Sequence, residues 1–155
     1  MKLIVVGMAV LIGLGLIVYA FSPEAPITNY PSAGTDIIAF GDSLVAGVGA
    51  TPGAGLVAQL EEYTGQPIIN LGVSGNTTAD GVKRLDELGN YNPQVVILVL
   101  GGNDAIRRVP LETTQRNLET MIEDIHATGA VVLLLGVRSG ILSDNYYDMY
   151  KELAR

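Results

Sequence analysis

Apolar residues change their spacing several times along this chain, and each change marks an element. From Leu3 to Phe21 every position is apolar or glycine, with Lys2 before the run. As a helix the run covers about 28 Å, close to the ~30 Å hydrocarbon core of a bilayer. It predicts a transmembrane anchor over residues 1–21. A signal peptide is the alternative, although its apolar region is usually shorter and Val18-Tyr19-Ala20 makes a weak cleavage site. Gly7, Gly13 and Gly15 suit a membrane helix better than a soluble one. Residues 22–35, with Pro23, Pro26, Pro31 and Gly34, read as a linker.

Beyond the linker, short apolar runs alternate with helical spacing. Asp36 to Phe40 reads as a buried strand that stops at Gly41 and presents Ser43 at its carboxyl end. Ala46 to Ala50 reads as a flexible loop. Thr51-Pro52 then signals the start of a helix with Leu56, Val57, Leu60 and Tyr63 on its apolar face and Gly65 at its end. Pro67 to Leu71 is a second strand. Thr77, with Asp80 three residues on, predicts the N-cap of a helix carrying Val82, Leu85 and Leu88. Asn90 to Pro93 is a turn. Val95 to Leu100 is apolar without alternation, as in a strand covered on both faces.

Leu111, Leu118, Met121, Ile122 and Ile125 then line one side of a long helix closed by Gly129. Val131 to Leu135 reads as another strand buried on both faces, and Asp144 to Arg155 as the beginning of a last helix. Strands alternating with helices at this spacing predict a doubly wound, flavodoxin-like α/β domain over residues 36–155. Its sheet is parallel, with right-handed crossovers and helices on both faces. Four strands are expected, with the sequence stopping in the helix that would lead to a fifth, so the domain reads as incomplete at its C-terminus.

Composition narrows the function. The 155 residues are 48% hydrophobic, enough for one domain with a real core. A net charge of −7 argues against nucleic acid and against docking on an anionic membrane surface. The absence of cysteine excludes disulfides and thiolate chemistry. One histidine and no clustered carboxylates leave no convincing metal site, and no cofactor is expected. The Gly47-Val48-Gly49-Ala50-Thr51-Pro52 segment lacks the third glycine of a dinucleotide fingerprint. Lys2, followed by no basic residue until Lys83, places the N-terminus inside and the domain on the periplasmic or extracellular side. Signal cleavage would instead release it as a secreted protein.

Parallel strands bring their carboxyl ends together, so three polar segments fall on one rim. They are Gly41-Asp42-Ser43-Leu44, Asn70-Leu71-Gly72-Val73-Ser74-Gly75-Asn76 and Gly101-Gly102-Asn103-Asp104. Acyl transfer needs a nucleophile and two or three donors aimed at a developing oxyanion. Ser43 offers a hydroxyl, Asn103 a side-chain amide, and Gly75 a backbone N–H with no Cβ in the way. Each motif alone is an ordinary turn. Together, in this order and at these intervals, they resemble the SGNH hydrolases, or GDSL esterases and lipases. The likeness is to the small bacterial thioesterase, arylesterase and lysophospholipase branch.

That resemblance implies a serine esterase acting on a small-molecule ester or thioester. Ser43 would be the nucleophile, and the oxyanion hole would comprise the N–H of Ser43, the N–H of Gly75 and the amide of Asn103. It implies a local structural role for Asp42 and no chemistry. The family's fourth block, an Asp-x-x-His supplying the acid and base of the triad, has no match here. His126 is no substitute: a helix beginning after the Asn103 loop has travelled roughly 20 Å from the rim by residue 126. It reads as a surface histidine at a helix C-terminus. Arg107 and Arg108, near the rim, read as solvated loop charges, with substrate contact as the alternative. The rival functions are a carbohydrate O-acetyl esterase and a non-catalytic exported binding module. Without a base, the chain as written is expected to be inactive.

Overall fold

The computed structural model describes residues 26–137 and 144–154. The expected anchor, and with it the inside–outside assignment, lies outside these residues. Among those described, no helix is long and apolar enough to cross a membrane. The elements run β1 (Asp36–Gly41), α1 (Ser43–Ala46), α2 (Leu56–Thr64), β2 (Ile68–Gly72), α3 (Thr78–Lys83), a 3₁₀ segment (Leu85–Asn90), β3 (Pro93–Val99), α4 (Gly102–Ile106), α5 (Leu111–Ala127), β4 (Val131–Leu134) and α6 (Asp144–Leu153). All strand pairs are parallel and the order is β2-β1-β3-β4. That order places β1 between two neighbours, which is why Ile38, Ala39 and Phe40 have no exposed surface.

The period-2 geometry of strands divides the core between two faces. Ile38, Phe40, Val96, Leu98 and Leu100 face α5 and α6, meeting Leu118, Met121, Ile125, Met149 and Tyr150. Ala39, Ile97 and Val99 face the other way, onto Val45, Val57 and Ile68. Leu118, Met121 and Ile125 recur at three- and four-residue spacing and are fully buried, each contributing about 1.5–3 kcal/mol of burial. Gly81 lets α3 close on this face. A Cβ there would lie 2.5 Å from Leu100 Cδ1 and 2.9 Å from Met121 Sδ.

Several expectations need correction. Thr51-Pro52 lies in a turn. Helix α2 starts at Leu56, after Gly55, whose extended backbone ends the turn and which offers no side-chain cap. Tyr63 is not on the apolar face of α2 but 90% exposed. The first and third rim segments, Gly41 to Leu44 and Gly101 to Asp104, read as loops, run into short helices, Ser43–Ala46 and Gly102–Ile106. In the first, the Asp42 carboxylate caps the Leu44 N–H and left-handed Gly47 closes the turn. Leu85 and Leu88 sit in the 3₁₀ segment, not in α3. Among the described residues β4 pairs with β3 alone and is not buried on both faces: Leu133 is 49% exposed. The capping box at α3 is present as expected: Thr77 and Asp80 each bond the other's backbone N–H.

Candidate active site

Gly41 is in register with Gly72 on one side and Val99 on the other, so three loops leave the sheet from one level. The first loop turns at Asp42, which is buried. Its Oδ1 accepts the Leu44 N–H at 3.0 Å, and its carbonyl accepts the Ala46 N–H at 3.0 Å. Those bonds wind Ser43 into the first position of α1, half-buried, with Val45 packed beneath and Leu44 exposed beside it.

The second loop is tied to the first. Asn70 Nδ2 donates to the Val45 carbonyl at 2.8 Å, and its Oδ1 accepts the Gly72 N–H at 2.9 Å. A Cβ at Gly72 would sit 2.2 Å from the Ala46 nitrogen, so only glycine lets β2 end against α1. The Val73 N–H reaches back to the Gly41 carbonyl at 3.0 Å. Gly75 then turns with φ +82°, a conformation that side-chain-bearing residues seldom adopt.

The third loop brings Asn103 to both others. Its Nδ2 donates to the Asn76 carbonyl at 2.9 Å and to Asp42 Oδ2 at 3.3 Å. Ser43, Gly75 and Asn103 thus stand on three loops joined through one amide. Asp42 does more than the local capping the resemblance assigns it, since it also holds Asn103.

Beneath the rim lies a layer that sequence reasoning did not single out. Asp104 is fully buried; it accepts the Thr78 N–H at 2.9 Å and the Thr78 hydroxyl at 2.5 Å. Asn117 Nδ2 supports that hydroxyl at 3.0 Å. Tyr150 donates its hydroxyl to the Leu100 carbonyl at 2.7 Å, just before the third loop. Arg84 reaches the first and second loops from α3. Nothing in the local pattern separates Arg84 from its solvated neighbour Lys83, and Tyr150 is 50 residues from its partner. Only a reading in three dimensions pairs them. Among the described residues every buried side-chain polar atom has a partner.

The electrostatics follow from this packing. Burial pushes the Asp42 carboxyl above its ordinary range, and nearby Asp104 pushes the same way against the Leu44 N–H bond. Burial, with Asp104 adding to it, raises the Tyr150 hydroxyl far above the usual phenol range. Asp80 moves the opposite way, held low first by the Thr77 hydroxyl and then by its N–H. Among the described residues no cluster of three His, Asp or Glu could hold a metal.

His126 lies at the other edge of the sheet. Its carbonyl accepts Asn29 Nδ2 at 2.8 Å, in the last turn of α5 and five residues before β4 begins. The six residues of β1, at about 3.3 Å each, put the two edges roughly 20 Å apart. Arg107 is exposed, yet not free: its Nη2 donates to the Gly75 carbonyl at 2.9 Å. Arg108 is exposed.

Comparison with known proteins gives a consistent picture. Residues 39–155 match the model of the GDSL-like Lipase/Acylhydrolase family. Esterase TesA of Pseudomonas aeruginosa is 35% identical over 127 residues, which are 78% of this chain and 62% of that protein. Thioesterase 1/protease 1/lysophospholipase L1 of Escherichia coli K12 is 31% identical over 129 residues, 81% of this chain and 61% of that protein. The chain therefore spans less than two thirds of the length of either. The crystal structure of AlinE4, an SGNH-hydrolase family esterase, superposes with a TM-score of 0.69 at 33% identity, covering 79% of this chain and 73% of that one.

Proposed function

Because this chain belongs to the GDSL-like lipase/acylhydrolase family, within the TesA, arylesterase and thioesterase 1 branch, we propose that it carries the nucleophile and oxyanion donors of a serine ester hydrolase. The observation that carries this reading is the Asn103 amide, anchored on Asn76 and on Asp42, the residue next to Ser43. Ser43 Oγ attacks the carbonyl carbon of an ester or thioester. The carbonyl oxygen becomes an anion and is met by the N–H of Ser43, the N–H of Gly75 and the Asn103 amide. Collapse expels the alcohol or thiol and leaves an acyl-serine, which water hydrolyses to the free acid. Such donors are effective because they are fixed before charge develops.

Ser43 must lose a proton in the first step, and a base has to stand within hydrogen-bond reach. His126 is the sequence's only histidine and lies at the opposite edge, so it does not serve. The run from Leu3 to Phe21 is proposed to hold the domain at the outer face of a membrane. Release of the domain by protease added outside inner-membrane vesicles of defined sidedness tests that placement; protection in right-side-out vesicles would refute it.

The functional test is turnover of p-nitrophenyl acetate and an acyl-thioester by the protein made from its whole gene, beside Ser43→Ala. Turnover and fluorophosphonate labelling that both vanish in Ser43→Ala support the reading. Normal activity in that variant, or no Ser43-dependent turnover in the parent, would sink it.

A further inference from the structure

Arg84 closes α3, and its guanidinium lies under the rim. Nη2 donates to the Gly41 carbonyl at 2.8 Å and to the Leu71 carbonyl at 3.0 Å. Nε donates to the Asn76 side-chain oxygen at 2.7 Å, and Nη1 to the Glu87 carboxylate at 3.2 Å. The Phe40 ring supports the group from one side, 3.9 Å from its centroid, and the side chain is only 14% exposed. Gly81, one turn earlier, is what lets α3 lie this close to Leu100 and Met121.

Three of those partners, Gly41, Leu71 and Asn76, lead to candidate donors. Gly41 precedes Asp42 and Ser43. Leu71 and Asn76 bracket the turn that carries Gly75. The carbonyl of Asn76 holds the Asn103 amide. We propose that Arg84 is a positioning residue for the oxyanion hole: it clamps two strand ends and Asn76, and so sets the spacing of the Ser43, Gly75 and Asn103 donors without touching substrate. The proposal rests on the reading of those three residues given above. A planar fork with five donors can serve all these acceptors together, whereas an ammonium is a compact point charge that cannot span them.

The test uses the protein from its whole gene with Arg84→Met, Arg84→Lys and Asn103→Ala, and follows four quantities: kcat and KM for p-nitrophenyl acetate, inhibition by an alkylboronic acid, thermal melting, and amide exchange at Leu98 and at Val73 and Asn76, whose N–H groups are hydrogen-bonded in the second loop. A donor displaced by about 1 Å costs about 10²-fold, so Arg84→Met should lose about that much kcat with KM little changed. The boronic acid, which binds Ser43 as a tetrahedral anion, should weaken in step. Exchange should quicken at Val73 and Asn76 and stay slow at Leu98, and Arg84→Lys should recover little. Should Arg84→Met fail to fold, Arg84→Lys decides by the same readouts.

A kcat within about threefold of the parent, or a fall in kcat with boronic acid affinity unchanged, overturns the proposal. Absence of any Ser43-dependent turnover removes the functional reading but leaves the clamp testable. Exchange that quickens at Val73 and Asn76 then upholds it, and unchanged exchange refutes it.

Discussion

Asp42 accepts a hydrogen bond from the Asn103 amide at 3.3 Å, across 61 residues of sequence. With the shorter bond to Asn76, it occupies both hydrogens of that amide. Asp42 is thus both the cap of α1 and one of the two anchors of Asn103.

Replacing Asp42 by Ala should cost stability first. The Leu44 N–H loses its acceptor, and loss of an N-cap costs about 1 kcal/mol. Relief of the buried carboxylate offsets part of that. A drop of a few degrees in thermal midpoint is expected, since about 1 kcal/mol shifts a domain of this size by roughly 2–8 °C. An unchanged midpoint would mean that α1 is held without its cap.

In the protein from its whole gene, Asn103→Ala should lower kcat by about 10²–10³, the usual loss for one oxyanion donor. Steady-state kinetics with p-nitrophenyl acetate would show this as a fall in kcat with little change in KM. A change confined to KM would assign Asn103 to substrate binding instead.

His126→Ala should leave ester turnover unchanged, because the residue stands on the far edge of the sheet. By itself the 155-residue chain should hydrolyse p-nitrophenyl acetate negligibly. Loss of the base costs a serine hydrolase roughly 10⁶ in turnover. Activity comparable to a family esterase that disappears in His126→Ala would overturn both expectations.

Acid should weaken the fold partly through Asp80. Its folded-state pKa is depressed by the Thr77 hydroxyl and N–H, so its contribution is present above the ordinary carboxylate pKa and lost as pH falls through the depressed value. Asp42 has the opposite sign: raised by burial, its contribution is present in acid and lost as pH rises. Urea unfolding from neutral pH down to about pH 2.5 should therefore show a shallower acid decline in Asp80→Asn and a steeper one in Asp42→Asn. Parallel profiles for all three proteins would contradict these assignments.

Tyr150→Phe leaves the buried Leu100 carbonyl without its 2.7 Å donor. An orphaned buried acceptor costs about 1–3 kcal/mol, which chemical denaturation would register as a lower midpoint with an unchanged slope. A variant as stable as the parent would imply that another donor reaches that carbonyl.

Much of this was legible in one dimension because it is local or periodic. Unbroken apolar runs marked β1 and β3, three- and four-residue spacing marked α5, and Thr77 with Asp80 marked the start of α3. The three rim motifs were readable because parallel strands oblige their loops to share an edge. Other features depend on contacts that no local pattern records. Leu133 is as apolar as Leu98, yet one is half exposed and the other buried, because among the described residues β3 lies between two strands while β4 has one neighbour. Tyr63 continued the period of α2 but lay past the face that the sheet covers. Thr51-Pro52 carried a helix-start signal where the chain was still turning. Ser43, Gly75 and Asn103 could be nominated from sequence. The amide linking their loops, and the arginine beneath them, exist only where distant backbone carbonyls converge, and the fold alone sets that convergence.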